Sequence, residues 1–224
     1  MKRSEINQVI KDMEILIDTC RFKLPPFAFW NEQDWKDKGA QYDEIRDNHL
    51  GWDITDFGLN DFKKVGFALF TIRNGNYNMK KYKKTYAEKL LMLYEGQNAA
   101  LHYHSSKMED IINRGGNDVY ITVYNSDREG NRLETDVEIN TDGRHRVVSA
   151  GSKIKLSPGE SITIQQFMYH DFSVPKSGGN VLLGEVSMCN DDENDNFFDD
   201  KRVGRFPVIE EDEPKYRVLC NEYV

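Results

Sequence analysis

The stretch of the chain that decides the fold runs from Gly96 to Gly116 and reads GQNAALHYHSSKMEDIINRGG. It carries His102 and His104 two residues apart, followed by Glu109. Alternate side chains of an extended strand point to the same face, so the two imidazoles can share one ion. The residues before Glu109 are enough for a turn that returns its carboxylate to that ion, and the flanking glycines suit turns. The segment therefore predicts a metal site in a β-rich fold.

Short β-prone runs surround this stretch. Turn residues such as Asn74-Gly75 and Asp142-Gly143 separate them. The runs are Val65 to Ile72, Tyr86 to Leu93, Val119 to Tyr124, Val137 to Ile139, Ser161 to Ile164, Phe172 to Val174 and Val181 to Val186. Many short strands at this spacing are typical of a β-sandwich or barrel rather than of a βαβ fold.

The N-terminal region has a different pattern. Apolar residues recur at helical spacing from Ile6 to Cys20, with Ser4 available as an N-cap, and prolines after Leu24 end the predicted helix. Aromatic residues follow, and we expect Trp30, Trp35 and Trp52 to pack between this region and the barrel. We predict one domain, 1–224, in which 1–60 form a helical, aromatic-rich extension and 61–224 form the barrel and a C-terminal tail.

Charge limits the classes of partner. The 224 residues carry a net charge of −8, and phosphate backbones need clustered positive charge, so a nucleic acid partner is not expected. Lys80 to Lys84 form a basic cluster that we expect in a solvated loop or strand edge.

Cysteine usage and hydropathy indicate a compartment. Cys20, Cys189 and Cys220 form an odd set without a Cys-x-x-Cys pair, which fits a reducing cytoplasm. The first residues lack the apolar region of a signal peptide, and no stretch approaches the length of a membrane span. We therefore expect a cytoplasmic protein without membrane association.

The spacing Gly96-x5-His102-x-His104-x4-Glu109-x6-Gly116 resembles the first signature motif of the cupin superfamily at every defined position. A second cupin motif supplies a further histidine, and the stretch from Gly159 to Val174 keeps its spacing, its first glycine and its histidine, His170. It lacks the motif's proline, second glycine and asparagine, which affects turn geometry rather than ligation. The resemblance implies a cupin jelly-roll barrel and a metal site of His102, His104, Glu109 and His170.

Other candidate ligands have simpler interpretations. His49 and His145 are not at ligand spacing, and we expect surface or structural roles for both. The acidic run Asp191 to Asn196 suggests a calcium loop but lacks its glycine and its bidentate glutamate, so we interpret it as a solvated or site-flanking loop. Three imidazoles and one carboxylate suit a divalent ion with open coordination positions. We expect Mn²⁺, with Fe²⁺, Ni²⁺, Zn²⁺ and Co²⁺ as alternatives.

Segments beyond the two motifs resemble the D-lyxose isomerase family of cupin sugar isomerases. They are Glu88-Lys89 with Glu95-Gly96-Gln97, the run Lys107 to Gly116, Gly204-Arg205-Phe206-Pro207, and Cys220-Asn221-Glu222-Tyr223. The resemblance implies interconversion of D-lyxose with D-xylulose and of D-mannose with D-fructose. It also implies a monosaccharide substrate and a homodimer. A divalent cation would stabilise the charge that develops on the enediolate oxygens, while a base and an acid handle the protons.

Proton transfer is assigned to Lys107, which lies between two ligands; we expect nearby cationic charge to lower its pKa. Asp200 and Glu185 compete for the role of carboxylate partner. Arg205 and Lys89 are candidates for holding sugar hydroxyls, with surface ion pairs as the simpler alternative.

Two other functions fit the same ligands. One is a different metal-dependent cupin enzyme, such as an Fe²⁺ dioxygenase, and the other is a non-catalytic sugar-binding cupin. Aldose turnover without oxygen uptake would separate the isomerase from both.

Overall fold

The computed structural model describes residues 1–192, 194–204 and 208–223. Its helices are α1 (Arg3–Thr19), α2 (Glu32–Lys36) and α3 (Asp43–Asp47). Its strands are β1 (Gly51–Thr55), β2 (Phe67–Arg73), β3 (Tyr86–Leu93), β4 (His102–Tyr103), β5 (Glu109–Gly116), β6 (Val119–Ser126), β7 (Arg132–Leu133), β8 (Val137–Thr141), β9 (Arg144–Val148), β10 (Ser152–Leu156), β11 (Ser161–Ile164), β12 (Met168–His170), β13 (Val181–Met188) and β14 (Phe197–Phe198).

Within the described ranges the strands form two antiparallel sheets. Eight strands pair in the order β1-β2-β3-β13-β5-β11-β8-β9, and the second sheet has the order β10-β6-β12-β4-β14, with β7 beside β6. The longest ladder joins β3 to β13 over eight residue pairs. The prediction of a mainly β barrel with an N-terminal helix is confirmed.

Alternation along the strands divides the apolar residues between two cores. Leu91 and Leu183 point between the sheets, where they pack with residues of the smaller sheet such as Ile121. Their neighbours Leu90 and Leu182 point outward, because successive strand side chains face opposite ways. Helix α1 covers this outer face of the larger sheet.

Helix α1 covers the larger sheet with an apolar stripe and is fixed at its start by the C-terminal segment. Ile6, Ile10 and Met13 are wholly buried, which stabilises the contact by about 1.5–3 kcal/mol for each side chain. The sequence predicted Ser4 as the N-cap, but Lys2 holds that position and makes no side-chain capping bond. The Ser4 hydroxyl instead donates to the Asp212 carboxylate at 2.6 Å.

Strand β1 lies within the residues that the sequence assigned to the extension, yet it pairs with β2 in the larger sheet. Trp52 and Ile54 face the outer core under α1, whereas Asp53 and Thr55 face a cavity between the sheets. The indole of Trp52 donates to the Ala28 carbonyl at 2.8 Å, which supports the packing role expected for the tryptophans.

The predicted strands agree best where pairing is long. β3 and β11 have the predicted bounds, whereas the predicted strand Phe172 to Val174 contains only isolated bridges at Ser173. The motif glycines have the expected backbone role, with φ of 76° at Gly96 and 86° at Gly116. A Cβ at position 116 would collide with the Asn180 carbonyl oxygen.

Among the helices of the described residues, none has both the length and the apolar character that crossing a bilayer requires.

Candidate metal centre and its cavity

Three imidazoles converge at one end of the space between the sheets. His102 and His170 are direct partners in the β4–β12 pair, and their ring centroids lie 4.2 Å apart. His104 follows β4, one alternation beyond His102. One ring nitrogen from each of the three lies within 4.8 Å of the others. The two sequence motifs thus meet through a short strand pair.

Hydrogen bonds to backbone carbonyls fix the tautomer of all three rings. The Nδ1 atoms donate to Ala100 at 2.8 Å, to Asp195 at 2.7 Å and to Met168 at 3.0 Å for His102, His104 and His170 respectively. A carbonyl oxygen only accepts, so each Nδ1 carries a hydrogen, and in the neutral ring the lone pair is then on Nε2.

Burial keeps His102 and His104 neutral. Desolvation, assisted by His170, lowers the pKa of His102 to about 3. Desolvation and the ammonium group of Lys107 hold the pKa of His104 well below its ordinary value. Neutral imidazoles are the form that ligates a metal.

The Glu109 carboxylate completes the donor set. Its Oε1 lies 3.0 Å from His170 Nε2 and 3.8 Å from His104 Nε2. Among the described residues, those two Nε2 atoms are buried without a hydrogen-bond partner. Lone pairs that converge in this way repel one another unless a cation lies between them, and burying them unpaired is costly. Three nitrogens and one oxygen fit a divalent metal ion.

Lys107 lies beside this donor set with three acceptors around its ammonium group. Nζ is 2.5 Å from Glu109 Oε2, 3.0 Å from Glu185 Oε1 and 3.0 Å from Asn190 Oδ1. Burial alone would lower the pKa of Lys107, but the two carboxylates outweigh it and raise that pKa. The expected lowering was wrong, because the nearest charges are anionic. Lys107 is therefore an ammonium group with all three hydrogens engaged.

Glu185 and Lys89 occupy neighbouring strands of the larger sheet, β13 and β3. They are direct partners in register, and Lys89 Nζ lies 3.9 Å from Glu185 Oε1 and 3.6 Å from Asp192 Oδ1. Both side chains are buried and line the cavity. The structure thus brings Glu185, Lys89 and Lys107 together with the four candidate ligands.

Asp200 lies elsewhere. Its carboxylate is partly exposed and pairs with Arg202 at 2.5 Å, and the described residues that line the cavity do not include it. Hydrogen bonds from Arg202 lower the pKa of Asp200 to about 2. The fifth candidate, Arg205, lies outside the described residues.

Sequence reasoning missed several cavity residues. Asp53 and Thr55 of β1 line it, as do Asp192 and Asn196 from the acidic run, which therefore flanks the site. An apolar wall faces them; it consists of Phe57, Phe67, Leu69, Leu91, Phe172 and Phe198. The alternation of Trp52 and Ile54 with Asp53 and Thr55 is the signal that could have identified β1.

The two remaining histidines lie on the surface, as expected. His49 is exposed in the turn after α3. His145 is exposed on β9, where its Nε2 lies 3.6 Å from Glu138.

Sequence comparison matches residues 1–223 to the model of a family described as D-lyxose isomerase. The chain is 42% identical over 225 residues to a D-lyxose/D-mannose isomerase of Serratia proteamaculans, covering 100% of this chain and 98% of that protein. It is 41% identical over 224 residues to a D-lyxose/D-mannose isomerase of Escherichia coli O157:H7, again covering 100% and 98%.

Structural comparison finds the same fold in sugar isomerases. The ligand-free L-ribose isomerase of Cellulomonas parahominis superposes with a TM-score of 0.62 at 12% identity, covering 94% of this chain and 98% of that one. The L-ribose isomerase of Acinetobacter sp. DL28, solved with L-ribose, gives 0.60 at 14% identity, with 93% and 98% covered.

Proposed function

The chain belongs to the D-lyxose isomerase family, and as a sugar aldose–ketose isomerase of that family we propose that it interconverts D-lyxose with D-xylulose and D-mannose with D-fructose. The names of the two bacterial relatives support these sugars. The observation that carries the proposal is the convergence of His102, His104, His170 and Glu109 at a cavity whose wall includes Lys107 and Glu185.

We assign the four ligands to one divalent ion, with Mn²⁺ as the expected metal. Three imidazoles that each donate through Nδ1 to a backbone carbonyl, and an ionised carboxylate, support this assignment. Such an ion, when bound, stabilises negative charge on the sugar oxygens at C1 and C2.

We assign the proton movement between C1 and C2 to Glu185. Isomerisation of an open-chain aldose removes the proton from C2, gives an enediol, and returns a proton to C1. A carboxylate at the wall of the cavity suits both steps, and Glu185 has this position whereas Asp200 does not. Of the two carboxylates considered from the sequence, Glu185 is therefore the better supported.

Lys107 serves as the proton donor to the carbonyl oxygen at C1, and the amine that remains takes the proton that the C2 hydroxyl loses, which restores the ammonium group. Its ammonium form, held by Glu109, Glu185 and Asn190, has three hydrogens to offer and no lone pair with which to act as a base. Lys89 binds substrate hydroxyls from the neighbouring strand. Together these residues give one proton carrier and one proton donor on the same wall.

The test is an NMR assay of D-lyxose and D-mannose in D₂O with enzyme stripped by a chelator and reloaded with single metals. We expect ketose formation with deuterium at C1, restored best by Mn²⁺. Oxygen uptake with Fe²⁺ and no aldose turnover would instead establish the dioxygenase alternative. Saturable sugar binding without turnover under every metal would establish a binding protein.

We further propose a cytoplasmic homodimer without nucleic acid or membrane partners. Three cysteines that form no disulfide among the described residues and a net charge of −8 support the compartment and the absence of polyanionic partners. Sedimentation velocity measures the oligomeric state, and a monomer at micromolar concentration would contradict the dimer.

A further inference from the structure

We infer that Asp195 is a positioning residue that holds His104 and Lys107 in place together. Its role as stated here rests on the proposed function, since it acts through one metal ligand and one proton donor. Asp195 is 5% exposed and lies in the irregular segment between β13 and β14, 88 residues beyond Lys107. The carboxylate does not line the cavity in the described part of the chain.

The Asp195 carboxylate binds the turn that links the two motif histidines to Glu109. Oδ1 accepts from the Ser105 amide at 2.8 Å, from the Ser105 hydroxyl at 2.8 Å and from the Ser106 amide at 2.9 Å. Oδ2 accepts from the Lys107 amide at 2.9 Å. Three consecutive backbone amides thus end on one carboxylate. This arrangement fixes the turn on which the Lys107 side chain is mounted.

The backbone of the same residue orients a ligand. The Asp195 carbonyl accepts from His104 Nδ1 at 2.7 Å. His102 and His170 depend on carbonyls two residues earlier in their own segments, whereas the partner of His104 is 91 residues away. The orientation of His104 therefore depends on a separate segment staying in place.

The four side-chain bonds of Asp195 join that segment to the turn, in addition to the pairing of β14 with β4 two residues later. Its own local contacts are short-range, since the Asp195 amide donates to Asp191 at 2.9 Å within the same loop. Without the carboxylate, the carbonyl of residue 195 loses its direct link to the turn that follows His104, and the nearest remaining anchor is the pairing of β14 with β4. Partners of this kind typically contribute 10- to 100-fold to metal affinity.

The two carboxylate oxygens of Asp195 have different partners, so two substitutions can test their roles separately. In Asp195→Asn the amide oxygen can keep the Ser105 and Ser106 bonds, while the new NH₂ group faces the Lys107 amide hydrogen. Asp195→Ala removes every side-chain bond. The first variant separates the proton donor from the ligand, and the second affects both.

The experiment measures Mn²⁺ affinity by chelator competition, kcat and KM for D-lyxose, and thermal unfolding. We expect Asp195→Ala to bind Mn²⁺ about 10- to 100-fold more weakly. Asp195→Asn should keep affinity to within about threefold and lose about tenfold in kcat at unchanged KM. Asp127→Ala is the matched control, since Asp127 also caps a turn by accepting from Asn131, but on the surface.

Unchanged Mn²⁺ affinity in folded Asp195→Ala would overturn the inference, as would equal losses of kcat in Asp195→Asn and in the control. If Asp195→Ala does not fold, Asp195→Asn still tests the effect on kcat alone. Metal affinity is measured without turnover. An inactive wild-type protein would therefore contradict the proposed function, whereas the affinity measurements would still test this inference.

Discussion

Arg3 and Lys107 are buried cations that each lie between two carboxylates, and of these two residues only Lys107 faces the cavity. Arg3 is wholly buried and pairs with Glu211 at 2.7 Å and Glu222 at 2.5 Å. Lys107 pairs with Glu109 at 2.5 Å and Glu185 at 3.0 Å. By charge alone the two clusters are alike, although Glu211 is 53% exposed whereas Glu109 and Glu185 are buried.

The difference lies in what else the carboxylates touch. Arginine is permanently charged, and its planar fork binds Glu211 through two nitrogens, which suits a structural clasp between chain segments. Lysine can release a proton, and its partner Glu109 also approaches His170. A buried ion pair therefore indicates function when it adjoins unpaired ligand atoms, and stability when it does not.

His170→Ala should break the cavity cluster most severely. The variant loses one of the four proposed ligands and exposes the remaining three to water, so we expect loss of bound metal and a fall in kcat of more than about 10⁴-fold. Inductively coupled plasma mass spectrometry measures the metal. Full metal content in the purified variant would remove His170 from the site.

Lys107→Ala should lower activity without removing the metal. We expect kcat to fall by about 10²- to 10⁴-fold, because the general acid is lost, while metal content stays at the wild-type level. Lys155→Ala is the control, since Lys155 pairs with Asp118 on the surface. An unimpaired Lys107→Ala enzyme would favour a non-catalytic role for the lysine.

Arg3→Ala should affect stability and not chemistry. Removing Arg3 breaks a buried pair and leaves Glu222 with Lys215, 3.5 Å away, as its remaining charge partner among the described residues, and we expect the free energy of unfolding to fall by about 3 kcal/mol. Urea denaturation measures this free energy, and Arg202→Ala, which removes an exposed ion pair, is the control. A loss of kcat per folded molecule would contradict the contrast between the two clusters.

The pair of Arg3 with Glu211 predicts that stability depends on pH. Hydrogen bonds from Arg3 lower the pKa of Glu211 below its ordinary value of 4.5, so the stabilisation is present above that value and is lost as pH falls through the lowered pKa. The stability gap between wild type and Arg3→Ala should therefore narrow below about pH 4.5. A gap that stays constant to pH 3 would show that Glu211 contributes no charge.

Asp200→Asn should have the smallest effect. The Asp200 carboxylate pairs with exposed Arg202, does not line the cavity, and is screened by solvent. We expect kcat and KM to stay within about twofold of wild type. A tenfold loss of kcat with normal folding would return Asp200 to consideration as the proton carrier.

The sequence predicted best those features that depend on local spacing. The bounds of β3 and β11 follow from apolar runs that are fully paired, and the candidate ligands follow from motif spacing. Strands β4, β12 and β14 have two or three residues each, which is too short for any periodicity to register. Each depends on its neighbour in the sheet, since β12 pairs with β6, β4 with β12, and β14 with β4.

The rest of the site depends on contacts between distant segments. Nothing near Lys107 in the sequence shows that Glu185 and Asn190 will surround its ammonium group. Asp195 was grouped with a weak calcium pattern, because its partners lie about 90 residues earlier. The chemistry of each residue was readable from its type, whereas its electrostatic neighbours required the fold.

The contacts between α1 and the C-terminal segment have a consequence for biosynthesis. Arg3 meets Glu211 across 208 residues, and Asn7 meets Pro214 across 207. Helix α1 leaves the ribosome early, but these partners are among the residues made much later. During translation the apolar stripe of α1 must therefore wait, exposed or chaperoned, until nearly the whole barrel has been synthesised.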